Sequence, residues 1–194
     1  MNSQQDWHIP LHQESMTLAD ALASLPAQER RELPLMLRMQ RDPELSFLSK
    51  LVFRAGIDQR QHDCIHILLG RGLLPMDQAF VLGFTIASSK KGSLPEHRLN
   101  AEIGRHQARC DSLFSDSERS VFREGIKLAY MSFCAPLDGF DFQPWQNQSL
   151  RELREAVGLE AELLLAYFAV EKHRYPHSPA SQRLLPNPAR VAGI

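Results

Sequence analysis

The chain has 194 residues, 43% of them hydrophobic, and this length and composition can bury one sizeable core, so a single globular domain is expected. Its 22 basic residues are nearly balanced by 23 acidic ones, giving a net charge of −1, and the basic residues are scattered along the chain. This balance creates no field that would gather a polyanion, so we expect no nucleic-acid partner.

The N-terminal segment, the cysteines and the short apolar runs together predict a cytoplasmic protein. Residues 1–14 have no apolar core behind a basic start, so we predict no secretory signal and a flexible N-terminal segment. The three cysteines are widely spaced and form no C-x-x-C pair, which favours reduced thiols. The longest apolar run, Leu163–Val170, is far shorter than the ~20 residues that span a bilayer, so any membrane contact is expected to be peripheral.

Apolar residues recur at helical rather than alternating spacing, without a hairpin signal or an internal repeat. We therefore predict an all-α fold, a single orthogonal or antiparallel multi-helix domain of about eight helices over residues 15–174. Residues 175–194 form a Pro-rich tail to which the pattern assigns no structure. The predicted helices, in chain order, are Thr17–Leu25, Pro26–Gln40, Pro43–Arg54, Asp58–Leu69, Pro75–Ser88, Pro95–Cys110, Asp116–Cys134 and Ser149–Val157, and another helical turn or more is predicted from Glu160 to Lys172.

Side chains suited to chemistry cluster in the fourth predicted helix, in the pattern H-D-x-x-H. At about 100° per residue, His66 projects roughly 40° round the helix from His62, and Asp63 roughly 100°. Two imidazoles and a carboxylate on one helix face are typical metal ligands. A half-buried, hydrogen-bonded histidine pair has the same spacing, so the pattern alone leaves both interpretations open.

The next predicted helix, Pro75–Ser88, is apolar nearly all round and is expected to be central, beside the histidine helix. Because the connection is short, the two helices should form an antiparallel hairpin, in which positions equally far from the turn face each other. His66 and Gln78 are both six residues from Gly72. Gln78 is therefore a candidate fourth site residue, although an exposed or capping first-turn glutamine is equally common.

These residues resemble the signature of the ubiquinone-biosynthesis family named coenzyme Q four, which is H-D-x-x-H followed, after eleven residues, by Glu. His62 to His66 matches the first half, and Gln78 stands at the position of the final acid. Trp145-Gln146 resembles the family's Trp-Glu, and residues 150–159 resemble its closing helix. The resemblance extends over roughly residues 42–159.

The resemblance implies an all-α fold and a divalent metal, commonly zinc, at His62, Asp63, His66 and position 78. It also implies a neighbouring apolar channel for a polyprenyl lipid or quinone intermediate, a homodimer, and peripheral contact with the inner membrane face. Members support ubiquinone assembly, either by organising other quinone-biosynthesis proteins or by acting at ring carbon one, where a carboxylate is removed and a hydroxyl installed.

The chain departs from the family pattern at two acids, since Gln78 and Gln146 stand where relatives have Glu. Two neutral histidines, Asp63 and Gln78 around a divalent cation carry a net charge of +1, where the usual acid would give zero. An amide oxygen is a weaker zinc ligand than a carboxylate. We therefore expect weaker metal binding than in relatives, or a vacant site with a structural or lipid-carrying role.

Three functions remain open at this point. The first is metal-assisted chemistry on a quinone precursor. The second is a non-catalytic lipid-binding or scaffolding protein, with apolar segments such as Pro75–Ser88 and Ala161–Val170 lining a slot for an isoprenoid tail. The third is a metal-dependent hydrolase, which the pattern disfavours because a phosphohydrolase needs a histidine on an earlier helix and a zinc protease needs Glu beside its first histidine.

Overall fold

The structure, a computed structural model, describes residues 7–27, 57–105 and 114–186. These residues contain eight α-helices, one 3-10 helix at Gln143–Trp145 and no β-strand, which confirms the predicted all-α single domain. The helices are α1 Leu18–Ala23, α2 Gln59–Leu68, α3 Pro75–Lys90, α4 Glu96–Arg105, α5 Asp116–Met131, α6 Leu150–Ala156, α7 Ala161–Arg174 and α8 Pro179–Arg183.

Most helix boundaries lie close to the predicted ones, because the capping residues that the sequence offers are used. Two predicted helices, Pro26–Gln40 and Pro43–Arg54, fall almost wholly outside the described residues. Within the described ranges, none of the helices combines the length and the apolar character that a bilayer crossing needs.

Helix α2 carries both histidines, and both of its ends are capped. The side chain of Asp58 accepts a hydrogen bond from the Gln61 N–H at 2.7 Å, which satisfies a free donor of the first turn. At the other end, Gly70 has a φ of 65°, a left-handed conformation that glycine adopts without strain. The N–H of Gly70 bonds to the Ile67 carbonyl and that of Arg71 to the His66 carbonyl, which is the Schellman arrangement. The chain therefore turns sharply after α2.

A buried arginine holds the C-terminal end of α2 against the rest of the fold. Arg154, in α6, donates from Nε to the Leu68 carbonyl at 3.1 Å and from Nη1 to the Leu11 carbonyl at 2.9 Å. Burial lowers the pKa of Arg154 to about 10, so it stays cationic at neutral pH. Its charge lies where the helix dipole is negative, which favours the contact. Arg154 thus fixes α2, α6 and the N-terminal segment relative to one another.

Helix α3 lies at the centre, as its apolar sequence predicts, and contacts α2, α4, α5 and α8. Phe80 and Phe84 are fully buried. Glycines allow α3 and α5 to pack backbone against backbone: a Cβ atom on Gly83 would overlap the Phe122 carbonyl oxygen, and one on Gly125 would lie 2.6 Å from the Phe80 carbonyl oxygen. This close crossing sets the position of α3 and hence of Gln78.

The described parts of the two terminal segments, residues 7–14 and 175–186, are more ordered than the sequence pattern predicts. In the N-terminal segment, assigned as flexible, Ile9 and Leu11 are buried, and Leu11 lies directly against Gly70. In the Pro-rich tail, where no structure is assigned, Ser178 caps α8 and its hydroxyl contacts the Met76 sulfur at 2.9 Å. The physical reason is that a few apolar side chains of each segment are buried against the helical domain. In the tail these are Ala180 and Leu184.

We predict that Gly83→Ala destabilises the fold by about 1–3 kcal/mol or more, because α3 and α5 must separate to admit one methyl group. Gly104→Ala is the matched control. Gly104 lies in α4 with open space where its Cβ would be, so that change should raise stability by up to about 1 kcal/mol through helix propensity. Urea unfolding followed by circular dichroism measures both. Equal effects of the two substitutions would contradict the described crossing.

Candidate functional site

The structure brings together three of the four predicted site residues. His62 Nε2 lies 3.1 Å from His66 Nε2, and it also lies 3.1 Å from Gln78 Oε1. Both histidines are fully buried, whereas Gln78 is partly exposed. The α2–α3 hairpin therefore places Gln78 at the histidine pair, and the site reaches the surface through Gln78.

The ring of His66 is held by the turn that follows its own helix. Its Nδ1 donates a hydrogen bond to the Gly72 carbonyl oxygen at 2.6 Å. Because Nδ1 carries the hydrogen, the neutral ring has a lone pair on Nε2, and this lone pair faces His62. A backbone carbonyl that fixes the tautomer in this way is typical of histidines that ligate metals.

Burial keeps His66 neutral. It lowers the pKa of His66 well below the usual 6.5, and the nearby His62 lowers it further. The hydrogen bonds with Gly72 and Gln78 oppose this shift, and the positive charge of Arg71 adds to it. A neutral imidazole is the form that binds a metal ion, so His66 is ready to act as a ligand at neutral pH.

The distances from His62 Nε2 to His66 Nε2 and to Gln78 Oε1 are compatible with a shared metal ion. Two nitrogens bonded to zinc at about 2.05 Å are about 2.9 Å apart at a right angle and about 3.3 Å apart at the tetrahedral angle. The 3.1 Å separations lie within this interval. Without an ion, the Nε2 hydrogen of His62 would have to serve both the His66 lone pair and the Gln78 oxygen. One hydrogen would thus have to be shared by two acceptors. A cation bound between the three atoms would instead accept electron density from all of them.

The carboxylate of Asp63 does not point towards the Nε2 atoms of the two histidines. Its Oδ1 accepts a hydrogen bond from Gln59 Nε2 at 2.9 Å and lies 3.6 Å from His62 Nδ1, the ring nitrogen that faces away from His66. Among the described residues, no group of three His, Cys, Asp or Glu side chains is arranged to hold a metal ion. The predicted set of His62, Asp63, His66 and Gln78 is therefore brought together except for Asp63.

An ion-paired arginine buried next to the site fixes the turn that holds His66. Arg71 donates to both carboxylate oxygens of Glu171, at 2.9 and 2.6 Å, and its guanidinium carbon lies 3.9 Å from the centre of the Phe80 ring. Burial by itself raises the pKa of Glu171, but Arg71 and the Ser181 hydroxyl outweigh it and hold this pKa below its usual value. The pair is fully charged at neutral pH and immobilises residues 70–72.

The sequence interpretation missed three parts of the site. Arg71 and the Gly72 carbonyl received no role, because a charged residue is usually solvated and a backbone carbonyl leaves no mark in a sequence. Gln59 was also missed. Its position four residues before Asp63 on the same helix is a signal that could have identified it.

A cavity of about 400 Å³ lies on the other side of α2 from the histidine pair. It opens between the first turn of α2 and the loop that precedes the 3-10 helix. Its lining includes Asp58, Arg60, Cys64, Asp138 and Phe140. Burial raises the pKa of Cys64 to about 12, so this thiol, which lines the cavity, stays protonated.

Comparisons of the chain with protein-family models, with curated proteins and with solved structures give no match. The resemblance to the coenzyme Q four family therefore stays a prediction from the residues that carry it.

We predict that the chelator-treated protein loses stability as the pH falls below about 6.5. The unfolded chain binds a proton at His66 there and the folded chain does not, so the free energy of unfolding should fall by up to about 1.4 kcal/mol per pH unit. His66→Gln lacks the titrating ring and should show a shallower decline between pH 7 and pH 5. Urea unfolding of both proteins across this interval tests the prediction. Identical slopes would contradict it.

Proposed function

We propose that the protein binds a divalent metal ion, with zinc the first candidate, through His62, His66 and Gln78, and that it serves ubiquinone biosynthesis. The observation that carries the metal site is the convergence of two imidazole nitrogens and an amide oxygen at 3.1 Å separations. The resemblance of the same residues to the coenzyme Q four signature supports the pathway.

The residues of the chain perform defined tasks in this proposal. A divalent ion supplies positive charge that stabilises an anionic oxygen of a bound quinone precursor. The Gly72 carbonyl keeps the His66 lone pair directed into the site. Gln78, the partly exposed member, lies where a substrate would enter. Neither histidine has to move, because both rings are already packed in place.

One observation favours a second candidate, in which the ion is structural and the protein is a non-catalytic lipid-binding or scaffolding protein. His62 and His66 have no solvent exposure. Closed sites are typical of structural zinc, whereas catalytic zinc keeps an open position. In this case the ion would lock the α2–α3 hairpin, and the protein would present quinone intermediates to other enzymes.

We predict that the wild-type protein binds one zinc ion per chain and that the double variant His62→Ala, His66→Ala binds none. Gln78→Glu should bind zinc at least about tenfold more tightly, because a carboxylate replaces the neutral amide. Gln148→Glu, the same change at an exposed position, is the control and should leave the affinity unaltered. Equilibrium dialysis of the four proteins, with zinc measured by elemental analysis, tests this. Equal metal content in the wild type and the double variant would remove the site.

A second measurement separates the catalytic from the scaffolding candidate. The zinc-loaded and, separately, the manganese-loaded protein are incubated aerobically with a polyprenylated hydroxybenzoate, and loss of the carboxylate is followed by mass spectrometry. Conversion by the wild type but not by the double histidine variant supports the catalytic candidate. A bound, unconverted polyprenyl lipid supports the scaffolding candidate. If the protein neither converts nor binds the compound, the assignment to this pathway is contradicted.

A further inference from the structure

We propose that Asp63 is a positioning residue for His62 and not a ligand of the metal ion. The inference rests on the metal site proposed above, and it concerns a carboxylate that the H-D-x-x-H spacing alone would place among the ligands. It assigns Asp63 a partner on each side: Gln59, which holds the carboxylate, and His62, which the carboxylate orients.

The carboxylate of Asp63 lies on the Nδ1 side of the His62 ring. Asp63 Oδ1 is 3.6 Å from His62 Nδ1, whereas the two other candidate ligands approach His62 at Nε2. Nδ1 and Nε2 point away from each other on the ring. A metal ion shared by the Nε2 atoms is therefore on the far side of the ring from Asp63.

A hydrogen bond and burial restrain Asp63 in this position. Gln59, one helical turn earlier, donates from Nε2 to Asp63 Oδ1 at 2.9 Å. Asp63 is itself buried, with 4% of its surface exposed, so the packed surroundings oppose a change of rotamer. Turning the carboxylate towards the Nε2 side would break the Gln59 hydrogen bond inside the protein.

The carboxylate of Asp63 influences which nitrogen of His62 carries the hydrogen. Its Nδ1 is buried and, among the described residues, has no hydrogen-bond partner. If the hydrogen of the neutral ring is on Nε2, the lone pair of Nδ1 faces a carboxylate oxygen, which is unfavourable. When a metal ion takes the Nε2 lone pair, the hydrogen resides on Nδ1 and faces Asp63. The carboxylate thus favours the tautomer that binds metal.

With Asp63 outside the coordination sphere, the three donor atoms are the neutral Nε2 of His62, the neutral Nε2 of His66 and the neutral Oε1 of Gln78. A divalent ion in this set keeps its full charge of +2. The negative charge of Asp63 acts only through the His62 ring, by making its nitrogen a stronger donor.

The test uses cobalt(II), whose visible absorption depends on the number and type of its ligands. We expect Asp63→Ala to retain the band positions and intensities of the wild-type cobalt protein, because no ligand is lost. Its affinity for cobalt should fall by about 10–100-fold, since an unoriented histidine binds less well. Gln78→Ala, which removes a ligand, should change the spectrum.

Two further variants guard against a folding defect in Asp63→Ala. Asp63→Asn keeps an oxygen that can accept from Nδ1 and should lose less affinity than the alanine variant. Gln59→Leu leaves Asp63 in place but removes its hydrogen-bond donor, and it should weaken cobalt binding several-fold with an unchanged spectrum. Circular dichroism and urea unfolding identify any variant that does not fold.

The outcomes are separable. If the wild type gives no cobalt spectrum at saturating metal, the metal site itself is overturned before any variant is measured. If the wild type binds but Asp63→Ala shifts the bands, Asp63 is a ligand and the positioning role is wrong. If Asp63→Ala and Gln59→Leu both keep the wild-type affinity and spectrum, Asp63 has no part in metal binding, and the inference is likewise overturned.

Discussion

The hydrogen bond from His66 Nδ1 to the Gly72 carbonyl oxygen is the contact on which the candidate site depends. It fixes which nitrogen of His66 carries the hydrogen and where the other nitrogen points. It can form only because the chain reverses within four residues, with Gly70 in the left-handed conformation. The buried pair of Arg71 and Glu171 then keeps this turn from opening. The site geometry is thus a property of the turn as much as of the histidine helix.

Much of the fold could be predicted because capping residues and glycines next to each helix mark where it begins and ends. Asp58 and Gly70 delimit α2, and the apolar run after Pro75 identifies the central helix. Helical spacing was enough to place His62 and His66 on one face, and the short connection was enough to bring Gln78 to them. These are short-range relations, in which geometry over a few residues decides the outcome.

What could not be predicted depends on contacts between residues far apart in sequence. Arg71 meets Glu171 a hundred positions later, and Arg154 meets the carbonyls of residues 11 and 68. A sequence gives no sign that such charges will be buried, because charged side chains are usually solvated. The direction of Asp63 was equally hidden, since a residue 100° from His62 can turn towards either face of the ring. In the structure its carboxylate accepts a hydrogen bond from Gln59, one helical turn earlier.

The C-terminal helix has a role that its short length conceals. Arg183 pairs with Asp77 in the first turn of α3, and its guanidinium lies so close to Gly72 that even a Cβ atom there would collide with it. Helix α8 therefore covers the peptide group whose carbonyl orients His66. A proteolytic cut between α7 and α8 would leave His62, His66 and Gln78 intact but would release the helix that covers Gly72, so the support of the His66 ring extends to a segment more than a hundred residues downstream.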